Sequence, residues 1–97
     1  EKKGVKILAR NYRFKRAEID LIGEEKDCLV FVEVKLRSSV EYGFPESFVS
    51  DGQKFRIKRA AEEFIEEKNW MGDIRFDVIS IVYNQSEYKL EYFKDCF

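Results

Sequence analysis

The fold of this chain is decided by two neighbouring stretches, Glu18-Ile-Asp-Leu-Ile22 and, after a short polar turn, Leu29-Val-Phe-Val-Glu-Val-Lys35. Side chains alternate between the two faces of a strand, so charged and apolar positions separate in both stretches. Pairing the stretches as a hairpin brings Asp20 onto the same face as Glu33 and Lys35. The opposite face is then predicted to be apolar and to carry Ile19, Leu21, Val30, Val32 and Val34.

This ionic group is costly to remove from water, so it persists only if it is paired, bound to a metal ion or open to a solvent-filled cleft. Two interpretations stay open at this point. In the first, the carboxylates form a metal site. In the second, Lys35 forms an ordinary ion pair with Glu33 or Asp20, a contact that stabilises a sheet by roughly 0.2 to 1 kcal/mol.

The hydrophobic pattern along the chain predicts five strands and one helix. The alternating segments are residues 5–13, 17–23, 28–37, 74–83 and 88–93. Ser50 and Gln53 match a capping box, which predicts a helix from there to about Lys68. Residues 38–49 contain Pro45 and are predicted to form a loop that borders the ionic group. We therefore expect an α/β sandwich in which a mixed sheet of about five strands packs against a long helix.

Length and composition favour one domain that spans residues 1–97. Cys28 and Cys96 lie far apart and lack metal-ligand spacing, which favours reduced thiols and a cytoplasmic protein. No run of residues reaches the length of a membrane span, so we expect no membrane partner.

The residues that are absent exclude several kinds of site. The chain contains no His, which excludes a Ser-His-Asp triad, a His general base and His-ligated zinc. Its five glycines occur singly, so no Gly-rich phosphate loop is present. The aromatic side chains are interpreted as core residues and not as base-stacking groups, and they include Phe31, Phe48, Phe55, Phe64 and Phe76.

Basic residues are concentrated in two segments, although the formal net charge is only −1. Residues 1–16 contain seven Lys or Arg and one acidic residue. Cations also open the predicted helix, where they oppose the helix dipole. Contact with nucleic-acid phosphates would account for that placement, and a solvated charged helix is the alternative. The residues predicted to contact nucleic acid are Arg13, Lys15, Arg16, Arg37, Lys54 and Lys58.

The order of these motifs resembles the PD-(D/E)XK nuclease superfamily, in which an Asp precedes Glu-x-Lys on a hydrophobic strand by about a dozen residues. Within that superfamily the chain is most similar to the YraN-like family, which looks like the archaeal Holliday junction resolvases. The likeness covers most of the chain. It runs through Ile7-Leu-Ala-Arg-Asn-Tyr12, Glu18-Ile-Asp-Leu-Ile22, Leu29-Val-Phe-Val-Glu-Val-Lys35 with Arg37, Ala60-Ala61 and Arg75-Phe-Asp-Val78.

The resemblance implies a restriction-endonuclease-like sandwich with a divalent metal site. Asp20 and Glu33 would ligate the ion, and the Val34 carbonyl would be a third ligand. Mg²⁺ suits hard oxygen ligands of this kind, and Mn²⁺ should substitute for it. Lys35 would orient or deprotonate the attacking water and would offset charge that develops on the phosphate.

Three accessory residues follow from the same resemblance. Glu18 would either ligate the ion through water or neutralise Lys35 or Arg16. Gln53 and Lys54 match positions at which related nucleases carry a helper residue, although the capping box alone explains Gln53. The chain departs from the family where Ala17 replaces a usual Gly. It also departs at its start, where most of a helix bearing a further carboxylate is missing.

The predicted function is metal-dependent hydrolysis of DNA by Asp20, Glu33 and Lys35, with branched or repair intermediates as one possible substrate. Whether the substrate is DNA or RNA, and branched or linear, stays open. One alternative is a nucleic-acid-binding module that keeps the nuclease fold without cleaving, and another is a structural protein with an ion-pair network. Resolvase-like relatives act as dimers, and the last predicted strand offers an edge through which a homodimer could form.

Overall fold

The computed structural model describes residues 5–38 and 49–97, apart from the side chain of Ser38. This part of the chain contains five strands and one helix. In chain order they are β1 Val5–Phe14, β2 Ala17–Glu25, β3 Cys28–Ser38, α1 Asp51–Lys68, β4 Asp73–Tyr83 and β5 Tyr88–Phe93. The predicted α/β class is confirmed, and the predicted strands differ from these by at most two residues at an end.

The strands form one mixed sheet in the order β1-β2-β3-β4-β5. Neighbouring strands are antiparallel except for β3 and β4, which are parallel. Helix α1 lies between β3 and β4 in the chain, as expected for a crossover that joins parallel strands. Strand β5 lies at the edge of the sheet, where the sequence analysis placed it. Among the described residues, no helix is both long and apolar enough to cross a membrane.

The predicted capping box holds the start of α1. Ser50 Oγ accepts a hydrogen bond from the backbone N–H of Gln53 at 3.2 Å, and Gln53 Oε1 accepts one from the N–H of Ser50 at 3.2 Å. The helix ends at Asn69, whose φ of 55° is left-handed. Asparagine tolerates this conformation better than most residues, so both ends of the helix are encoded locally.

The helix packs one apolar stripe against the sheet. Its buried residues are Ile57, Ala60, Ala61 and Phe64. The Phe64 ring lies edge-on to the rings of Tyr12 and Phe31, with centroid distances of 5.2 and 6.3 Å. Such pairs add roughly 0.5 to 1.5 kcal/mol each beyond the burial of area. These contacts fix α1 over β1, β2 and β3 and bring its first turn beside Asp20.

The predicted separation of apolar and charged faces is only partly correct. Leu21 lies opposite Val32 in the β2–β3 register, and both line a groove on the sheet face away from the helix. The prediction was wrong for Ile19, which packs in the core beneath the helix together with Ile22. Ile19 and Ile22 are three positions apart, and residues at this spacing share a face of a strand only where the regular alternation of side chains is broken. The register of β1 and β2 puts Asn11 opposite Asp20 at this point, and Asn11 has a left-handed φ of 52°.

The face away from the helix carries a second ionic group. Asp77 is fully buried on β4 and accepts hydrogen bonds from Arg75 Nε at 2.9 Å, Tyr92 Oη at 2.6 Å and the N–H of Asp95 at 2.9 Å. Arg75 Nη2 also lies 3.2 Å from Glu25 Oε1. This group ties β2, β4, β5 and the C-terminal residues together, so its role is structural.

Several predictions fall outside the described residues. The loop expected to border the ionic group lies mostly in residues 39–48, and the predicted core residue Phe48 is among them. Phe31, Phe64 and Phe76 are buried, as predicted. Phe55 was predicted to be core, and that prediction was wrong, since its exposed fraction is 62%.

Candidate metal centre

Asp20 lies where β2 separates from β3. The backbone ladder between these strands runs from Glu25 and Cys28 to Leu21 and Val32 and stops there. Beyond it, Asp20 Oδ2 accepts a hydrogen bond of 2.8 Å from the backbone N–H of Val34. The carboxylate thus takes the place of a backbone acceptor, which fixes the position of the side chain between the two strands.

Glu33 and Lys35 lie two residues apart on β3, on the face that the helix covers further along the strand. Lys35 Nζ is 3.3 Å from Glu33 Oε2, and the two side chains are only 15% and 13% exposed. The ion pair of the second interpretation is therefore present. Both charges are therefore held largely away from water, and their energies depend on the charged groups next to them.

The pKa of Glu33 reports how close the second carboxylate is. Burial raises the pKa of Glu33 above its ordinary value, and the charge of Asp20 and a hydrogen bond to Asp20 raise it further. Lys35 acts in the opposite direction through its charge and its hydrogen bond. Two carboxyl groups within hydrogen-bonding reach cannot both ionise without cost unless a cation lies between them.

A polar cleft of about 220 Å³ opens over these carboxylates. Three acidic residues line it, namely Glu18, Asp20 and Glu33. The remaining lining residues come from the β1–β2 hairpin and from the first turns of α1, and they are Arg16, Ala17, Gln53, Arg56 and Ile57. A cleft lined by both carboxylates and arginines suits a ligand that carries both a cation and phosphate oxygens.

The donor set fits a divalent ion that keeps most of its water. Among the described residues, no group of three or more His, Cys, Asp or Glu side chains is placed to hold a metal. Mg²⁺ is commonly held by one or two carboxylates, with waters and substrate phosphates as the other ligands. Asp20 and Glu33 supply two such carboxylates, so they are sufficient for this kind of site.

The other predicted site residues lie at different distances from the carboxylates. Val34 is adjacent, but its described contact is the N–H bond to Asp20, and its carbonyl as a third ligand stays a prediction. Glu18 lines the cleft, and its described partner is Arg13 at 3.5 Å, instead of the predicted Lys35 or Arg16. Arg13 is the residue opposite Glu18 in the β1–β2 register.

The two predicted accessory residues on the helix, Gln53 and Lys54, lie in different places. Gln53 lines the cleft while it caps the helix, so both roles that the sequence suggested are compatible. Lys54 is directed elsewhere, since its Nζ lies 5.6 Å from the centroid of the Phe97 ring. Lys58 lies similarly over Phe76 at 5.8 Å. The structure therefore does not bring these two lysines to the cleft.

A second pocket adjoins the carboxylate cleft and was not predicted from the sequence. It has a volume of about 270 Å³ and shares Arg16, Ala17 and Arg56 with the cleft. Its other lining residues are Phe14, Lys15, Phe55 and Arg59. Of the predicted nucleic-acid contacts, Lys15 and Arg16 lie here, whereas Arg37 follows Lys35 along β3.

Arg56 and Arg59 are candidate functional residues that were not among the predicted nucleic-acid contacts. A signal for them existed, because they flank Ile57 and Ala60 on the helix but do not share the side of Lys54 and Lys58. Successive helical residues are about 100° apart, so Arg56 and Lys54 are separated by about 200°. Only the packing of Ile57 determines which of these sides faces the β1–β2 hairpin.

The fold and this centre define an α/β protein with a mixed sheet and two carboxylates that line one cleft beside the first turns of a helix. Residues 1–81 match the model of the uncharacterised protein family UPF0102. The chain therefore belongs to that family, and the resemblance to the YraN-like family is confirmed.

Individual relatives give the same assignment. The UPF0102 protein of Flavobacterium psychrophilum is 39% identical over 97 residues, which cover 100% of this chain and 82% of the relative. The UPF0102 protein of Cytophaga hutchinsonii is 46% identical over 81 residues, with 84% of this chain and 72% of the relative covered. That of Dictyoglomus thermophilum is 40% identical over 86 residues, covering 88% and 73%.

Proposed function

We propose that this protein is a metal-dependent nuclease that hydrolyses phosphodiester bonds of DNA, including branched or repair intermediates. The observation that carries this proposal is that Asp20 and Glu33 line the same open cleft, and that Lys35 forms an ion pair with Glu33. Such a group costs stability where it is largely removed from water, and a cation between the carboxylates would offset that cost.

The residues have distinct roles in this proposal. Asp20 is fixed by the Val34 N–H and would present its free oxygen to the ion, while Glu33 would supply the second carboxylate. A bound Mg²⁺ or Mn²⁺ would polarise the phosphoryl oxygen and lower the pKa of a ligand water. Lys35 would hold the attacking water and offset charge on the phosphate once Glu33 turns to the ion. Glu18 would act through water at the cleft rim.

Positive charge in the cleft supports nucleic acid as the partner. Arg16 and Arg56 line the cleft, and neither forms an ion pair with another described residue. Free cations of this kind bind phosphates with an affinity that falls as salt rises. A homodimer would let the protein act on both strands of a two-fold substrate. The free thiols of Cys28 and Cys96 support a reducing compartment such as the cytoplasm.

A second candidate function is a nucleic-acid-binding module that does not cleave. It is favoured by the Glu33–Lys35 ion pair, which occupies the lysine. Both functions require the arginines of the cleft, Arg16 and Arg56, but only the nuclease requires the metal ion.

Calorimetric titration with Mn²⁺ separates the two candidates. The wild-type chain is compared with Glu33→Gln and with Glu91→Gln, a matched charge change at an exposed residue of β5. A nuclease binds Mn²⁺ in the wild type and in Glu91→Gln, and the binding is lost in Glu33→Gln. Equal titration curves for all three chains would exclude the proposed metal centre.

A further inference from the structure

The pocket beside the carboxylate cleft combines an apolar interior with a basic rim. Phe14, Ala17 and Phe55 supply apolar surface. Cations surround them, and they are Lys15, Arg16, Arg56 and Arg59. No acidic residue is among those that line the pocket. The ligand that fits this composition is flat or apolar in one part and anionic in the parts next to it.

Phe55 is the unusual residue of the pocket. It is 62% exposed, although burying a phenylalanine side chain contributes about 1.5 to 3 kcal/mol. The guanidinium carbon of Arg59, one helical turn later, lies 5.7 Å from the centroid of the Phe55 ring. A group that contacts the ring is therefore also within reach of an arginine, and this arrangement is made by the helix alone.

The β1–β2 turn brings two further cations to the same place. Lys15 and Arg16 form the turn, and Lys15 has a left-handed φ of 57°. Residues such as Asn and Gly adopt this conformation at lower cost, so a lysine is an unfavourable local choice at position 15. Backbone strain of this kind is often retained at binding sites.

The cations of the pocket are available for a ligand. Arg16, Arg56 and Arg59 form no ion pair within the part of the chain that the structure describes. Arg13 of β1 differs, because it forms an ion pair with Glu18. Three arginines without an ion-pair partner among the described residues therefore line this one pocket.

We propose that this pocket is a nucleobase subsite that takes an unpaired base of a single-stranded or branched nucleic acid. The base stacks on Phe55, and the adjacent phosphates contact Arg16, Arg56 and Arg59. Sequence-tolerant binders of single strands use the same combination of an aromatic platform and a positive groove. A lipid surface or an acidic peptide supplies anions but no flat ring next to each charge.

This inference rests on the proposed function, because the shared residues Arg16, Ala17 and Arg56 would lead the same strand from the pocket to Asp20 and Glu33. It gives the substrate a specific feature, namely an unpaired nucleotide next to the scissile phosphate. A continuous duplex keeps its bases stacked and cannot fill the pocket without the cost of flipping one out.

The test is binding of a short oligonucleotide with one 2-aminopurine base, as a single strand and as a duplex, in EDTA. The wild-type chain is compared with Phe55→Leu and with Tyr88→Leu, a control at a tyrosine of β5 that is 74% exposed. We expect Phe55→Leu to weaken single-strand binding about tenfold and to reduce quenching of the 2-aminopurine fluorescence. Duplex binding should change little, and Tyr88→Leu should behave as the wild type.

Equal single-strand affinity of Phe55→Leu and the wild type would overturn the subsite, as would an equal loss for single strand and duplex. Anionic phosphatidylserine vesicles are a further probe. Binding to vesicles that depends on Phe55, without oligonucleotide binding, would overturn it in favour of a membrane surface. The binding test is made without metal, so its result does not depend on cleavage. A chain that binds through Phe55 but does not cleave when metal is added would refute the nuclease proposal and leave the subsite standing.

Discussion

Asp20 Oδ2 accepts a hydrogen bond of 2.8 Å from the backbone N–H of Val34, a residue fourteen positions further along the chain. This bond begins where the β2–β3 ladder ends, so one side chain both closes the sheet and presents a carboxylate to the cleft. Structure and proposed chemistry therefore depend on different properties of Asp20. The sheet needs an acceptor oxygen, and the metal centre needs the negative charge.

Asp20→Asn and Asp20→Ala should separate these two properties. Asparagine keeps an acceptor for the Val34 N–H, so its free energy of unfolding should stay within about 1 kcal/mol of the wild type. Alanine leaves that N–H without its partner and should cost about 1 to 3 kcal/mol. Both variants should lose Mn²⁺ binding. Urea denaturation and calorimetry measure the two effects, and an asparagine variant that binds Mn²⁺ normally would contradict this role.

Glu33→Gln should stabilise the metal-free protein. The pKa of Glu33 is raised by burial and by Asp20, so at neutral pH the ionised carboxylate costs stability that a neutral amide does not. The cost of a raised carboxyl pKa is absent well below that pKa and present above it. We therefore expect a higher Tm for Glu33→Gln at pH 7 in EDTA, and no difference at low pH. A lower Tm at pH 7 would show that the ion pair with Lys35 dominates.

Asp77→Ala should be far more destabilising than any change in the cleft. Asp77 is fully buried and accepts hydrogen bonds from Arg75, Tyr92 and Asp95. Removing one partner of a buried ion pair typically costs about 3 to 5 kcal/mol. Urea denaturation beside Glu91→Gln as the surface control measures the loss. A cost below about 1 kcal/mol would mean that water replaces the missing carboxylate.

Tyr92→Phe should change the response to alkaline pH. Burial and the hydrogen bond to Asp77 raise the pKa of Tyr92 from 10.0 to about 12. Between these values the unfolded chain loses its phenol proton and the folded chain keeps it, so stability falls as pH rises from 10 to 12. The variant starts from a lower stability but should lose less over this interval. Urea denaturation at several pH values measures this loss. An equal fall of the free energy of unfolding in both chains would contradict the raised pKa of Tyr92.

Much of the fold could be predicted from the sequence because its signals are local. The alternation in β3, the Ser50–Gln53 capping box and the end of α1 near Lys68 depend on neighbours in the chain. The β2–β3 register followed from matching apolar positions. The meeting of Asp20 with Glu33 was a consequence of that register, because a slip of one residue would have buried the charges.

The remaining features depend on contacts between distant residues. The break in alternation that turns Ile19 towards the helix lies beside a left-handed residue of the neighbouring strand, Asn11, and no motif in β2 indicates it. Phe55 looked like core because aromatic residues usually are, yet it lies about 200° from Ile57 around the helix. Only the position of the helix on the sheet shows that this side of α1 faces the β1–β2 turn.

The central claim is that Asp20, Glu33 and Lys35 cleave nucleic acid with the help of a divalent ion. The most direct test is cleavage of a labelled panel of four-way junction, duplex, single strand and RNA, with Mg²⁺, Mn²⁺ or EDTA. The wild-type chain and Glu91→Gln should cut at least one substrate with metal and none in EDTA. Lys35→Met should keep Mn²⁺ binding but lose about 10²- to 10⁴-fold in rate, as for loss of a proton-transfer group. Binding without metal-dependent cleavage of any substrate, or cleavage unchanged in Lys35→Met, would contradict the claim.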